Sequence, residues 1–141
     1  MRHPKLAIIG GRLEDDNAAI YDEMHRLSGG RIVVFATASS VPDEVGAETV
    51  GVFRAYGFDA VLAGVHGSGA IGAAQNKAIA DLVADYGSVY FTGGDQALIT
   101  GALAPYGRES RVLKAIRKAH RSGSLIAGSS AGAAIMSEVM F

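Results

Sequence analysis

Short, continuous apolar runs alternate along this chain with stretches whose apolar residues recur at helical spacing. Leu6-Ala7-Ile8-Ile9 is the first run and ends at Gly10-Gly11. Asn17 to Leu27 places Ile20, Met24 and Leu27 on one helical face and stops at Gly29-Gly30. Arg31 to Thr37 is the clearest strand. Pro42-Asp43 opens a helix through Tyr56 with Val45, Thr49, Val52 and Phe53 on one side. Phe58 to Ala63 predicts a third strand, and Ala70 to Asp85 a helix with Ile71, Ala74, Ala78 and Leu82 inward. Ser88 to Phe91 predicts a fourth strand. A short helix from Asp95 and a longer one from about Glu109 to His120 lead to a fifth strand, Ser124 to Ala127. Runs that are apolar throughout, without alternation, predict strands buried on both faces. The fold class is therefore α/β: one domain of three layers, αβα, with a mostly parallel central sheet.

In such sheets ligands collect beyond the carboxyl ends of the strands. The turn-forming segments fall there: Gly10-Gly11-Arg12, Thr37 to Ser40, Gly64 to Gly69, Thr92 to Gln96, and Gly128-Ser129-Ser130-Ala131-Gly132. The last of these carries the sharpest chemistry. It follows an apolar strand and opens the helical run Ala131 to Met136, the context in which G-x-S-x-G means a nucleophile elbow. The central residue, Ser130, is the candidate nucleophile. Ser129 is the first variable position of the motif. The helix after the turn aims its free N–H groups and positive dipole end at the place where an oxyanion would form. The alternative is a tight strand-to-helix turn with an idle serine.

Phe91-Thr92-Gly93-Gly94-Asp95-Gln96 is the second candidate. Two glycines after a strand let the backbone approach a ligand and leave N–H groups free. A donor from this loop, beside the Ala131 N–H, would complete an oxyanion hole for acyl transfer. Asp95 suits an N-cap. Gln96 brings a donor and an acceptor that a turn alone does not need, and so predicts substrate contact.

Composition narrows the classes. Apolar residues make up 49% of 141 and charged residues 19%, a globular and not a disordered composition. Thirteen basic and fourteen acidic residues nearly cancel, so nothing steers the chain toward nucleic acid or an anionic membrane. The absence of cysteine excludes disulfides and thiol catalysis. The first apolar run, of about six residues, is too short for a signal peptide or a membrane span, which makes the cytoplasm the default location. Gly10-Gly11-Arg12-Leu13 lacks the third glycine of a dinucleotide fingerprint, and there is no Walker-type lysine motif. No metal-ligand cluster is visible, and acyl transfer by a serine needs no cofactor.

With both motifs in view, the chain resembles the cyanophycinase and aspartyl-dipeptidase family of serine peptidases, whose fold is similar to that of class I glutamine amidotransferases. The resemblance covers nearly the whole chain. It rests on Ile8-Ile9-Gly10-Gly11, on Ala36 to Gly46, on Phe91 to Gln96 and on Ala127 to Ala133. Gly93-Gly94-Asp95-Gln96 is the form more similar to cyanophycinases. Ser129 stands where the family usually has threonine. The resemblance implies that Ser130 attacks a carbonyl next to an aspartyl residue. It implies a β-aspartyl-arginine polymer or peptide as substrate, with Gln96, beside Asp95, holding the aspartyl part. The Gly93–Gly94 region and Ala131 would form the oxyanion hole. An aspartyl dipeptidase or other small acyl hydrolase is the alternative, and an inactive binding or regulatory protein with a vestigial elbow is a further one.

The family's histidine base and its acidic partner lie after the nucleophile, and here eleven residues follow Ser130. A serine needs a base within hydrogen-bond reach. His3 falls in a frayed terminus, His25 in a polar helical stretch facing solvent, and His120 at a helix end where a cation suits the dipole. His66 is the one histidine in a rim loop, where a loop or substrate-contacting role is favoured over that of base. Ile135 to Phe141 reads as an apolar helix without a cap. The chain is thus expected to be the N-terminal part of a larger hydrolase domain. A companion segment of the same precursor would carry the histidine, or the exposed surface would form a homodimer.

Overall fold

Five strands pair in parallel throughout, in the order β1-β5-β4-β2-β3: β1 (Lys5–Ile9), β2 (Arg31–Phe35), β3 (Asp59–Ala63), β4 (Val89–Phe91) and β5 (Leu125–Ser129). The computed structural model describes residues 3–130, 132 and 133. Helices α1 (Ala18–Ser28), α2 (Pro42–Ala55), α3 (Ala70–Ala73), α4 (Lys77–Tyr86), α5 (Gln96–Leu103) and α6 (Arg111–Arg121) supply the crossovers. Strand residues alternate between two cores. Ile32, Val34, Tyr90 and Leu125 pack with Tyr21 and Met24 of α1 and with Val50 and Phe53 of α2. Val33, Phe35, Val89, Phe91 and Ile126 pack with α4, α5 and α6. The predicted three-layer α/β fold is therefore present, with all five described strands parallel.

The helix starts follow from local capping chemistry. Asn17 accepts from the Ile20 N–H, Ser110 from the Leu113 N–H, and Pro42 occupies the first turn of α2. The same chemistry corrects one expectation. A single helix over 70–85 does not form, because Asn76 accepts from the Ala78 and Ile79 N–H groups and starts a new helix there. The break changes the helical phase. Ala80 and Val83 face the core, Leu82 is half-buried, and Ile71 and Ala78, expected inward, are exposed. In α2 the phase shifts similarly. Gly46, Val50 and Phe53 bury against the sheet, and Val45, Thr49 and Val52 are half-buried beside a cavity. The apolar helix expected over 135–141 lies outside the described residues.

Two histidines differ from their sequence reading. His25 packs its ring edge-on to Phe58 at 4.9 Å and is half-buried, because the turn at Gly29-Gly30 folds back over it. His120 is 7% exposed, and burial pushes its pKa below the ordinary histidine range. It is a buried neutral ring and not a cation at a helix end. A depressed folded-state pKa means that the unfolded chain binds the proton more readily. His120 thus lowers stability as pH falls below about 6.5, by at most about 1.4 kcal/mol per pH unit. Urea unfolding at pH 5 and pH 8 is expected to show a smaller acid-side loss in His120→Met than in the parent.

Candidate active site

The elbow is set by register. Ile9 pairs with Ser129 and Phe91 with Gly128, so β5 ends level with its two neighbours. The Ser130 N–H donates to the Ile9 carbonyl at 3.1 Å, and Ser130 then turns at φ +52°, exposed at the carboxyl end of the sheet. That left-handed conformation is uncommon for a residue with a Cβ. Gly132 begins the helical continuation with its Cα so close to the Phe91 carbonyl that a Cβ there would overlap it. A side chain at Gly128 would meet the Gly132 backbone at 2.6 Å. Ser129 points the other way. It is buried, and its Oγ accepts from the Tyr90 hydroxyl at 2.8 Å. Burial raises the Tyr90 hydroxyl's pKa, and the Ser129 bond opposes that shift. Phe53 meets the Tyr90 ring edge-on at 5.1 Å, which ties the base of the elbow to the core.

The second loop lies against the first. A Cβ on Gly93 would sit 3.1 Å from the Ser130 Cβ. Gly94 adopts φ +140°, and a Cβ there would overlap the Ala38 carbonyl, which also accepts from the Asp95 N–H at 2.8 Å. The Asp95 carboxylate accepts from the Ala97 N–H at 2.9 Å and so caps α5. Gln96 opens α5, exposed, and its side chain makes no hydrogen bond among the described residues. Ala131 lies outside the described residues.

A cavity of about 350 Å³ adjoins the elbow on the α1–α2 side of the sheet. Tyr90, Thr92, Gly93 and Ser129 form its inner wall, and Arg12, Asp15 and Glu48 are exposed at its mouth. Sequence reasoning did not single out these three charged residues. Glu48 sits beside the apolar stripe of α2, and Arg12 follows the glycine pair after β1.

A family model of peptidase family S51 matches residues 6–141. The chain belongs to peptidase family S51. Two solved structures share its fold. A peptidase from an acI-B1 Actinobacterium aligns with a TM-score of 0.78 at 22% identity, covering 94% of this chain and 56% of that one. A putative peptidase E protein from Listeria monocytogenes EGD-e aligns with a TM-score of 0.63 at 20% identity, covering 93% and 59%. The S51 chain thus spans less than two-thirds of either structure. No helix among its described residues is long and apolar enough to cross a membrane.

Within this S51 chain the structure brings Ser130, Gly93 and Gly94 together, with Asp95 and Gln96 on the same rim. It does not bring His66 there. His66 follows β3 at the far edge of the sheet, three inter-strand spacings or roughly 14 Å from β5. Its Nε2 lies 3.1 Å from the Asp43 carboxylate instead. Nothing in the sequence signals this pairing, because 23 residues separate the two. Gly94→Ala is expected to destabilise the fold by about 3 kcal/mol or more through strain and overlap with Ala38. Tyr90→Phe, which loses one buried hydrogen bond, is expected to cost about 1 kcal/mol. Denaturant unfolding of both variants checks that ranking.

Proposed function

We propose that this chain carries the nucleophile of a serine peptidase of the cyanophycinase kind, acting on β-aspartyl-arginine links. The observation that carries the reading is Ser130 itself: an exposed serine held at φ +52° between a buried parallel strand and a helical turn, with Gly93 against its side chain. Left-handed residues that carry a Cβ cluster at active sites and ligand clamps, and this one stands at the carboxyl end of the sheet.

The Ser130 Oγ attacks the carbonyl of the aspartyl unit and gives its proton to a histidine carried by a companion segment. The carbonyl oxygen becomes an oxyanion, received by backbone N–H groups of the Gly93–Gly94 region and of Ala131. Gln96 holds the aspartyl part from the start of α5, on the same rim. The carbon–nitrogen bond breaks, the histidine returns the proton to the leaving amine, and an acyl-enzyme on Ser130 remains. Water, deprotonated by the same histidine, then releases the acid and restores the hydroxyl. The neighbours are named a peptidase and a putative peptidase E protein, which supports the reaction class. The Gly93-Gly94-Asp95-Gln96 form of the second loop supports the cyanophycinase side of the family. Short aspartyl peptides are the second reading, favoured by a cavity no larger than about 350 Å³ beside the nucleophile.

Ser130→Ala in the full protein is expected to lower turnover of β-aspartyl-arginine by about 10⁴-fold or more while leaving the unfolding midpoint in place. Ser130→Gly is expected to be as inactive, and more stable by about 1 kcal/mol because glycine accepts positive φ without strain. Undiminished hydrolysis by Ser130→Ala would overturn the reading.

A further inference from the structure

His66 stands on the rim but has no part in the chemistry proposed above. Its side chain is 14% exposed, and its Nε2 lies 3.1 Å from the Asp43 carboxylate. Its Nδ1 is buried and has no hydrogen-bond partner among the described residues. A carboxylate only accepts hydrogen bonds, so a ring proton is assigned to Nε2. The unpaired Nδ1 is a cost that an apolar ring of similar size would not carry. What distinguishes the histidine from such a ring is its bond to Asp43. Asp43 is 94% exposed, and ion pairs open to water add little to stability. The bond acts on position instead. Val41, just before α2, supplies no side-chain cap, so Asp43 ties the start of that helix to the loop after β3. One residue back in that loop, the Val65 carbonyl accepts from the buried Thr37 hydroxyl at 2.5 Å. Val65 and His66 thus hold both ends of the segment 37–43, which follows β2.

Ala38 lies between those ends. Its carbonyl accepts from the Asp95 N–H at 2.8 Å, and Gly94 rests on that same carbonyl. Gly93 in turn lies against the Ser130 side chain. Contacts packed this closely pass a displacement on, because there is no free volume to absorb it. We propose that His66 is a positioning residue: its bond to Asp43 fixes the segment 37–43, and that segment fixes the Gly93–Gly94 backbone against Ser130. His66 works from three inter-strand spacings away, roughly 14 Å, and touches neither nucleophile nor substrate. Its effect on turnover rests on the peptidase reading, whereas its effect on the loop rests on packing alone. Donors that receive a developing oxyanion lose their effect when misplaced by a fraction of an ångström, while ground-state binding is spared. Loss of the His66–Asp43 bond therefore lowers kcat and leaves KM in place.

Four variants of the full protein test this. His66→Phe keeps a ring and loses the Nε2 bond, and Asp43→Ala removes the acceptor. His66→Gln places an amide N–H where Nε2 stood, and Asp43→Asn keeps an acceptor oxygen. The amide chemical shifts of Gly93, Gly94 and Asp95 are recorded by NMR, together with kcat and KM for β-aspartyl-arginine and the melting temperature. His66→Phe and Asp43→Ala are each expected to move the three amides and to lower kcat by about tenfold, with KM changed by less than about twofold. Their double variant is expected to lose no more than either alone. His66→Gln and Asp43→Asn are expected to restore the amide shifts and kcat. Amides that stay in place in His66→Phe and Asp43→Ala overturn the proposal, whether or not that substrate is turned over. So does an unchanged kcat in a protein whose Ser130→Ala variant is inactive. A lowered melting temperature and displaced amides in all four variants would mark a structural tie with no role for the bond, and would overturn it as well. Hydrolysis surviving Ser130→Ala overturns the peptidase reading instead, and the amide shifts then decide the positioning by themselves.

Discussion

The site depends on backbone approaching backbone more closely than any side chain allows. Gly94 lies on the carbonyl of Ala38, and Gly132 lies on the carbonyl of Phe91. The first contact joins the loops after β2 and β4. The second joins the end of β4 to the turn after β5. Three adjacent strands thus have their carboxyl ends sewn together at main-chain level, and Ser130 turns in the seam. A left-handed serine costs of the order of 1–2 kcal/mol if nothing holds it there. Here its own N–H is fixed to Ile9, its predecessor is buried and bonded to Tyr90, and the second loop closes over its side chain. The surroundings over-determine the conformation, which is how a strained residue persists.

Sheet topology decides which rim residues work together. The helix after β2 lies on one face and the helix after β4 on the other, so a crevice opens between those strands. The Gly94–Ala38 contact spans that crevice, and the cavity of Arg12, Asp15 and Glu48 opens beside it on the α1–α2 face. His66 belongs to the same rim, yet β4 and β2 stand between its strand and β5. Sharing a rim does not bring residues within reach of each other. Strand order does, and strand order makes His66 a partner of Asp43 at the start of α2 and not of Ser130.

Much of this was legible in the sequence, for physical reasons that also explain the gaps. Strands buried on both faces read as unbroken apolar runs, so Leu6–Ile9, Arg31–Phe35 and Val89–Phe91 were placed within a residue or two. The elbow was legible because steric crowding leaves few residue types that fit it, and because a strand precedes it. The break at Asn76 was not, since an asparagine inside an apolar period looks tolerable until its side chain takes two backbone N–H groups. The phase of α2 was missed because Val45, Thr49 and Val52 border a cavity, and a cavity wall is as apolar as a core. Arg12 and Asp15 share the loop after β1 and Glu48 lies on α2, so the three meet only through the order of the strands. Pairings set by topology leave no local mark.

His120 and Ser130 show two different ways of carrying an unfavourable group. His120 is desolvated and kept neutral, so its cost falls on the acid side of neutrality and is spread through α6, where Val112, Leu113 and Ile116 bury the same helix face. Ser130 is solvated but strained, so its cost is independent of pH and is concentrated in one residue. An exposed, strained residue cannot be relieved by burial. It can only be held by neighbours that have no conformational choice of their own, and glycines packed on carbonyls have the least. That argument explains why the closest backbone contacts lie at Gly94 and Gly132, while Arg12, Asp15 and Glu48 sit exposed at the cavity mouth.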